Sequence, residues 1–273
     1  MDPRVDEARH RGIVAALSFP RHHASEPREN ERAGEIVRDG LRAAGLRVVT
    51  DGPWRNVVGL PRTDGSAEGP YVLVGAHYDS VPGCPGADDN ASACAAMLHA
   101  AEVVGPDRRV AWVGFNREED GLLGSEDLVA RGLARLGIEV RVAHVLEMLG
   151  YTSDVQRTPP GLPVPTPPDG RFLGLLSKDA GNAELRRVAR LGREAGVTTV
   201  GLETWFGVDR WFPDLHRSDH SPFWDVGVPA VLWTDTAELR NPHYHQRTDT
   251  PDTLDYAFLA RVTSLLVRVL EAA

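Results

Sequence analysis

The sequence predicts an α/β fold, a three-layer α/β/α arrangement around a central, largely parallel mixed sheet. Three observations predict it. Short unbroken apolar runs at residues 71–76, 110–115 and 229–233 read as strands buried on both faces. Segments with helical spacing separate them. Residues able to hold a metal follow the runs directly, and open α/β sheets place their sites at strand C-terminal ends.

Each element follows from local pattern. Residues 6–18 are weakly helical. Residues 29–46 carry Ala33, Ile36, Val37, Leu41, Ala44 and Leu46 at helical spacing, and Gly45 provides a stop. Residues 46–49 and 56–60 read as strands with a turn between them. Residues 61–70 are a polar loop before the strand at 71–76. Asn90 or Ser92 opens an alanine-rich helix to about Val104. A strand at 110–115, a helix at 122–135 and a strand at 138–146 follow. Residues 152–170 are rich in proline, with six prolines between Pro159 and Pro168. A helix at 183–196, the strand at 229–233 and a closing helix at 254–272 complete the chain. A length of 273 residues suits one large or two small domains. Because regular elements resume after the proline stretch, residues 1–273 read as one catalytic domain with a surface loop at about 152–170.

Composition excludes several partner classes. The chain is 42% apolar and 25% charged, as in soluble globular proteins. No run of about 18 apolar residues exists, so no membrane span is expected. A net charge of −9 and the absence of a basic stripe argue against nucleic acid. The first ten residues are charged and lack an apolar core, which argues against a signal peptide. The two cysteines, Cys84 and Cys94, read as free thiols. Together these give a cytoplasmic expectation. Nothing in the sequence sets the oligomeric state.

Acidic and imidazole side chains carry the chemistry. His77 and Asp79 stand two apart on an extended segment and so face the same way. An aspartate there can accept from one imidazole nitrogen and leave the other for a metal. Asp88-Asp89 lies where a loop turns into a helix, where acidic residues also serve as plain caps. A carboxylate at this point can bridge two metals about 3.5–4 Å apart. Glu118-Glu119 follows the strand at 110–115. Such neighbours can divide the work, one as ligand and one as proton acceptor. Glu147 ends an apolar strand, where a carboxylate is costly unless paired or bound. His144 in that strand reads as a packed histidine. His243 and His245 compete for a late ligand position, and spacing alone does not choose between them. Oxygen and imidazole donors without thiolates suit zinc or a similar hydrolytic metal.

Longer motifs surround these residues. They include Gly75-Ala-His-Tyr-Asp-Ser80, Pro85-Gly-Ala-Asp-Asp-Asn-Ala-Ser92 and Glu118-Glu-Asp-Gly-Leu-Leu-Gly-Ser125. Leu146-Glu-Met-Leu-Gly-Tyr151, Ser218-Asp-His-Ser-Pro-Phe223 and Tyr244-His-Gln-Arg-Thr-Asp-Thr-Pro251 continue the set. In these motifs the chain resembles the family-28 zinc aminopeptidases, the group that holds bacterial leucyl aminopeptidases and glutamate carboxypeptidases. The resemblance covers most of the chain. It implies that His77 and Glu147 hold one zinc, that Glu119 and His245 hold another, and that Asp89 bridges them. It further implies Glu118 as general base and Asp79 as the residue orienting His77, and it selects His245 over His243. Three departures stand out. The charged first ten residues do not read as the signal segment of many secreted members. Glu147 occupies a position that is often aspartate. Ala93 stands where relatives usually have glycine.

The resemblance implies a metal-dependent amide hydrolase, most directly an aminopeptidase acting on peptides or small amides with two zinc ions per chain. A glutaminyl cyclase-like acyltransferase with one zinc is the second reading, supported by Asp219-His220-Ser-Pro-Phe. A non-catalytic binding relative is a third, disfavoured because every ligand position and the base are filled. Trp205, Phe206, Trp211, Phe212, Phe223 and Trp224 form an aromatic cluster that either lines a substrate pocket or packs in the core. Asp219-His220 is expected near the site in a supporting role.

Overall fold

The computed structural model describes residues 1–62, 69–158 and 166–272. Part of the polar loop at 61–70 and the middle of the proline stretch therefore lie outside the described residues. α1 (Glu7–Leu17) begins at Asp6, whose side chain accepts from the Arg9 amide. α2 (Pro27–Ala43) begins on a proline, whose missing N–H costs nothing in a first turn. Gly45 follows at φ 85°, a conformation that other residues adopt only with strain.

One eight-stranded sheet is built from β1 (Arg47–Asp51), β2 (Asn56–Leu60), β3 (Tyr71–His77), β4 (Val110–Phe115), β5 (Val140–Glu147), β6 (Leu173–Lys178), β7 (Thr199–Thr204) and β8 (Ala230–Thr234), in the order β1-β2-β4-β3-β5-β8-β6-β7. β4, β3, β5 and β8 run parallel. β1 and β2 pair antiparallel at one edge, and β6 pairs antiparallel to β8. β6 and β7 are additions to the sequence reading. Leu173-Gly-Leu-Leu-Ser-Lys follows a proline-rich stretch, and Thr199-Val-Gly-Leu-Glu-Thr contains a glycine and a glutamate. Their strand propensity is weak, and pairing with β8 and with each other decides the outcome.

The sheet separates two apolar layers. On one face α1, α2, α3 (Ala93–Val104), α6 (Asn182–Ala195) and α8 (Tyr256–Glu271) bury Leu17, Val37, Leu98, Val188 and Leu265 against Trp112 and Trp233. On the other, Leu128, Leu215, Phe223 and Trp224 pack over Val113, Phe115, Val145 and Leu232. This layer holds α4 (Leu123–Asp127), a π turn at Leu128–Gly132, α5 (Leu133–Leu136) and α7 (Ser221–Asp225). The helix expected at 122–135 is thus interrupted, and Leu122 is left-handed at φ 64°. The Phe115 ring lies over Gly75 of β3. A Cβ on Gly75 would sit 2.3 Å from that ring.

Candidate metal centre and its pocket

Parallel strands bring the candidate ligands to one edge of the sheet. His77 is the last residue of β3 and Glu147 the last of β5. Glu118 and Glu119 follow β4, and His245 lies in the loop after β8. Asp89 occupies the kinked turn Ala87–Ser92 before α3, where its own backbone is non-helical (φ −103°, ψ 87°). The alanines of α3, all buried from Ala93 to Ala101, let this turn sit close beneath the strand ends.

The seven residues expected at the site come together. His77 Nε2 lies 3.3 Å from Asp89 Oδ1 and 3.3 Å from Glu147 Oε1. His245 Nε2 lies 3.1 Å from Asp89 Oδ2 and 3.2 Å from Glu119 Oε2. Two triads, His77–Asp89–Glu147 and Asp89–Glu119–His245, therefore share one aspartate through its two different oxygens. Donors held about 2.0–2.1 Å from a tetrahedral zinc stand roughly 3.3 Å apart, the spacing found here. The buried Glu119 Oε1 has no hydrogen-bond partner, as suits an oxygen reserved for a cation. The residues present fit two divalent ions.

A second set of contacts fixes these side chains. Asp79 Oδ1 accepts from the Glu118 amide and Oδ2 from the Glu119 amide, both at 3.3 Å. His77 Nδ1 is 3.3 Å from Asp79 Oδ1, within ion-pair range but off the hydrogen-bond line. Ser218 Oγ donates to Glu147 Oε2 at 2.7 Å. Asp249 accepts the Asp88 and Asp89 amides at 2.9 and 3.1 Å, locking the turn that carries the shared carboxylate. Asn90 donates to the Leu146 carbonyl and accepts the Met148 amide, tying the same turn to the end of β5. Asp88 takes no part in either triad. It accepts from the Gly150 amide and from Asn241 Nδ2.

Charge crowding appears in the acidities. Burial drives Glu118 well above the usual carboxylate range; His77 opposes it and the Glu147 and Glu119 charges add to it. Burial and Asp89 push Glu119 up to about 7. Burial disfavours charge on His245, but hydrogen bonds to Asp89 and Glu119 prevail and raise it to about 10. Burial likewise disfavours charge on His77, and the Glu147 and Glu118 carboxylates outweigh it. Protons thus compensate here for excess negative charge, and divalent cations would displace them.

Other candidates resolve plainly. His243 hydrogen-bonds Thr248 and joins neither triad. His144 is buried and accepts from Trp233 Nε1. Cys84 and Cys94 are free thiols. His22, His23 and Asp120 form a third cluster of similar composition. There Arg117 Nε lies 3.3 Å from Asp120 and already supplies positive charge. His22 Nδ1 accepts the Ala24 and Ser25 amides, so Nε2 keeps the proton and offers no lone pair to a metal. That cluster braces the loop carrying Glu118 and Glu119.

A cavity of about 400 Å³ opens beside the triads. Its apolar floor includes Phe172, Leu176, Val200, Leu202, Leu215 and Leu232, and its rim carries Arg217, Glu238 and Tyr244. The aromatic cluster expected to line a pocket or pack in the core does neither as a unit. Phe223 and Trp224 are buried in the second layer, whereas Phe206 and Trp211 are 96% and 82% exposed. The reason is strand direction. β7 runs opposite to β5 and β8, so the segment after Thr204 leaves from the far end of the sheet. Asp219 is buried and raised to about 7, chiefly by burial, near Glu118 and His77. Sequence reading missed the pocket floor on β6 and β7, the clamp by Asp249 and the contact of Ser218. The motifs around Ser218 and Asp249 carried a signal, and the strands of the floor carried none.

Two fused carboxylate–imidazole triads at the C-terminal edge of a parallel sheet, beside an apolar cavity, suit a metallopeptidase. The chain belongs to peptidase family M28, whose model matches residues 56–270. It is 30% identical over 262 residues to the Escherichia coli K12 protein YfbL, covering 88% of this chain and 79% of YfbL. It is 39% identical over 211 residues to the Bacillus subtilis aminopeptidase YwaD, covering 75% of this chain but 41% of YwaD. Among solved structures, Porphyromonas gingivalis glutaminyl cyclase shares the fold over 99% of both chains, with a TM-score of 0.72 at 17% identity.

Proposed function

We propose that residues 1–273 form one catalytic domain of a dizinc aminopeptidase that removes N-terminal residues from peptides. His77 and Glu147 hold one ion, Glu119 and His245 the other, and Asp89 bridges them. The observation that supports this most is the shared aspartate, with one oxygen 3.3 Å from His77 and the other 3.1 Å from His245. Bound zinc supplies Lewis acidity, lowering the pKa of water toward ~7 and polarising the carbonyl. Glu118 takes a proton from the attacking water as the water oxygen joins the carbonyl carbon. As the C–N bond breaks, Glu118 returns that proton to the leaving nitrogen. Glu118 lines the cavity beside both triads, where a bound substrate would lie. Asp79 holds the Glu118 and Glu119 backbone and faces His77. The apolar floor receives the side chain of the N-terminal residue.

Metal analysis with a panel of aminoacyl anilides and N-terminal-glutamine peptides tests this. Two zinc ions per chain, cleavage of apolar anilides and loss of activity on chelation are expected. The complete His77–Asp89–Glu147 triad favours two ions. One zinc per chain, with cyclisation of glutamine peptides and no anilide cleavage, transfers the assignment to the cyclase reading.

A further inference from the structure

We propose that Arg217 determines specificity by binding a free α-carboxylate just beyond the scissile bond, so that short peptides, dipeptides foremost, are the substrates. This rests on the aminopeptidase reading and narrows its substrate class. Arg217 is followed in the chain by Ser218, which donates to Glu147. Arg217 Nη2 donates to Tyr244 Oη at 3.1 Å, and the Tyr244 ring stacks on His245 with centroids 3.8 Å apart. Arg217 thus lines the cavity, next in the chain to the serine on Glu147 and bonded to the tyrosine stacked on His245.

The cavity has an apolar floor and a charged rim. A substrate whose first side chain fills the floor leaves past the rim. In a dipeptide the α-carboxylate is two bonds from the leaving nitrogen, so it emerges at that rim. Among the described residues lining the cavity, Arg217 is the only lysine or arginine, set among the carboxylates of Asp214 and Glu238. Its side chain is 47% exposed and pairs with Glu238. Glu238 and Tyr244 engage two of the five guanidinium N–H groups. The remaining donors match the planar, two-oxygen geometry of a carboxylate.

The test compares kcat/KM for Leu-Ala, its C-terminal amide and leucine p-nitroanilide, using zinc-loaded protein. The wild type is expected to prefer the acid over the amide by about tenfold, mostly through KM. Arg217→Gln brings this ratio close to one, and Arg217→Lys keeps part of it. Tyr244→Phe removes the hydroxyl partner but leaves the cation, and retains the ratio. A ratio taken within each variant does not depend on the fraction folded. A wild-type ratio near one, or one unchanged in Arg217→Gln, overturns the assignment. Failure of the two-zinc wild type to cleave even the anilide overturns the aminopeptidase reading itself.

Discussion

Asp79 does more than orient an imidazole. Its two oxygens hold the backbone of Glu118 and Glu119, so one carboxylate sets the positions of the proposed base, one ligand and His77. Asp79→Asn would turn an amide N–H toward backbone donors and lose one acceptor. The expected result is a 10–100-fold loss of metal affinity, read by competition with a chelating dye. Glu118→Gln is expected to lower kcat by about 10²–10⁴-fold while both zinc ions stay bound, measured by turnover and metal content. Ser218→Ala removes the bond at 2.7 Å to Glu147 and should weaken one ion more than the other, giving two separated steps in a zinc titration. That His77, Asp89, Glu119, Glu147 and His245 gather at one place was legible in sequence through the motifs that carry the family resemblance. The tasks of Ser218 and Asp249 were less so, because a hydroxyl or carboxylate that only braces another side chain or a turn has no residue-type signature of its own.

Among the elements, strands that end in a ligand were readable and strands that build the pocket were not. β3, β4 and β5 are apolar runs buried on both faces, and burial is written in composition. β6 and β7 lie toward one edge of the sheet, where half-polar sequence suffices and neighbours decide pairing. The close approach of β3 and β4 is a sharper constraint. Gly75→Ala would press a methyl into the Phe115 ring and should cost about 1–3 kcal/mol, read by denaturant unfolding. A second constraint joins α1 to α8. His10 Nδ1 lies 2.7 Å from the Asp6 carbonyl and Nε2 lies 2.8 Å from Thr263 Oγ1, in a buried site. Burial, with His99 nearby, lowers its pKa from 6.5 to about 4. Between those values the unfolded chain binds more protons than the folded one. Stability therefore rises with pH across this window and is lost as pH falls from 6.5 toward 4. The contribution is roughly 3 kcal/mol, and His10→Asn should flatten the slope of stability against pH.

At the scale of the molecule, the proposed metal centre would tie together segments from His77 to His245 that a metal-free chain must hold against carboxylate repulsion. Each ion present at 100 times its dissociation constant adds about 2.7 kcal/mol. Two ions should raise Tm by on the order of 10 °C, and chelation followed by calorimetry should show that loss. The reversal of direction at β6 has a different outcome. It brings the starts of β6 and β7 to the edge where the parallel strands end, so the surface proposed to receive a substrate side chain and the groups proposed to break the bond belong to separate stretches of chain. Exchanges at Val200 or Leu202 can reshape the chamber while the reactive machinery stays as it is. Preference can then be altered by substitution in the floor without touching the candidate ligands.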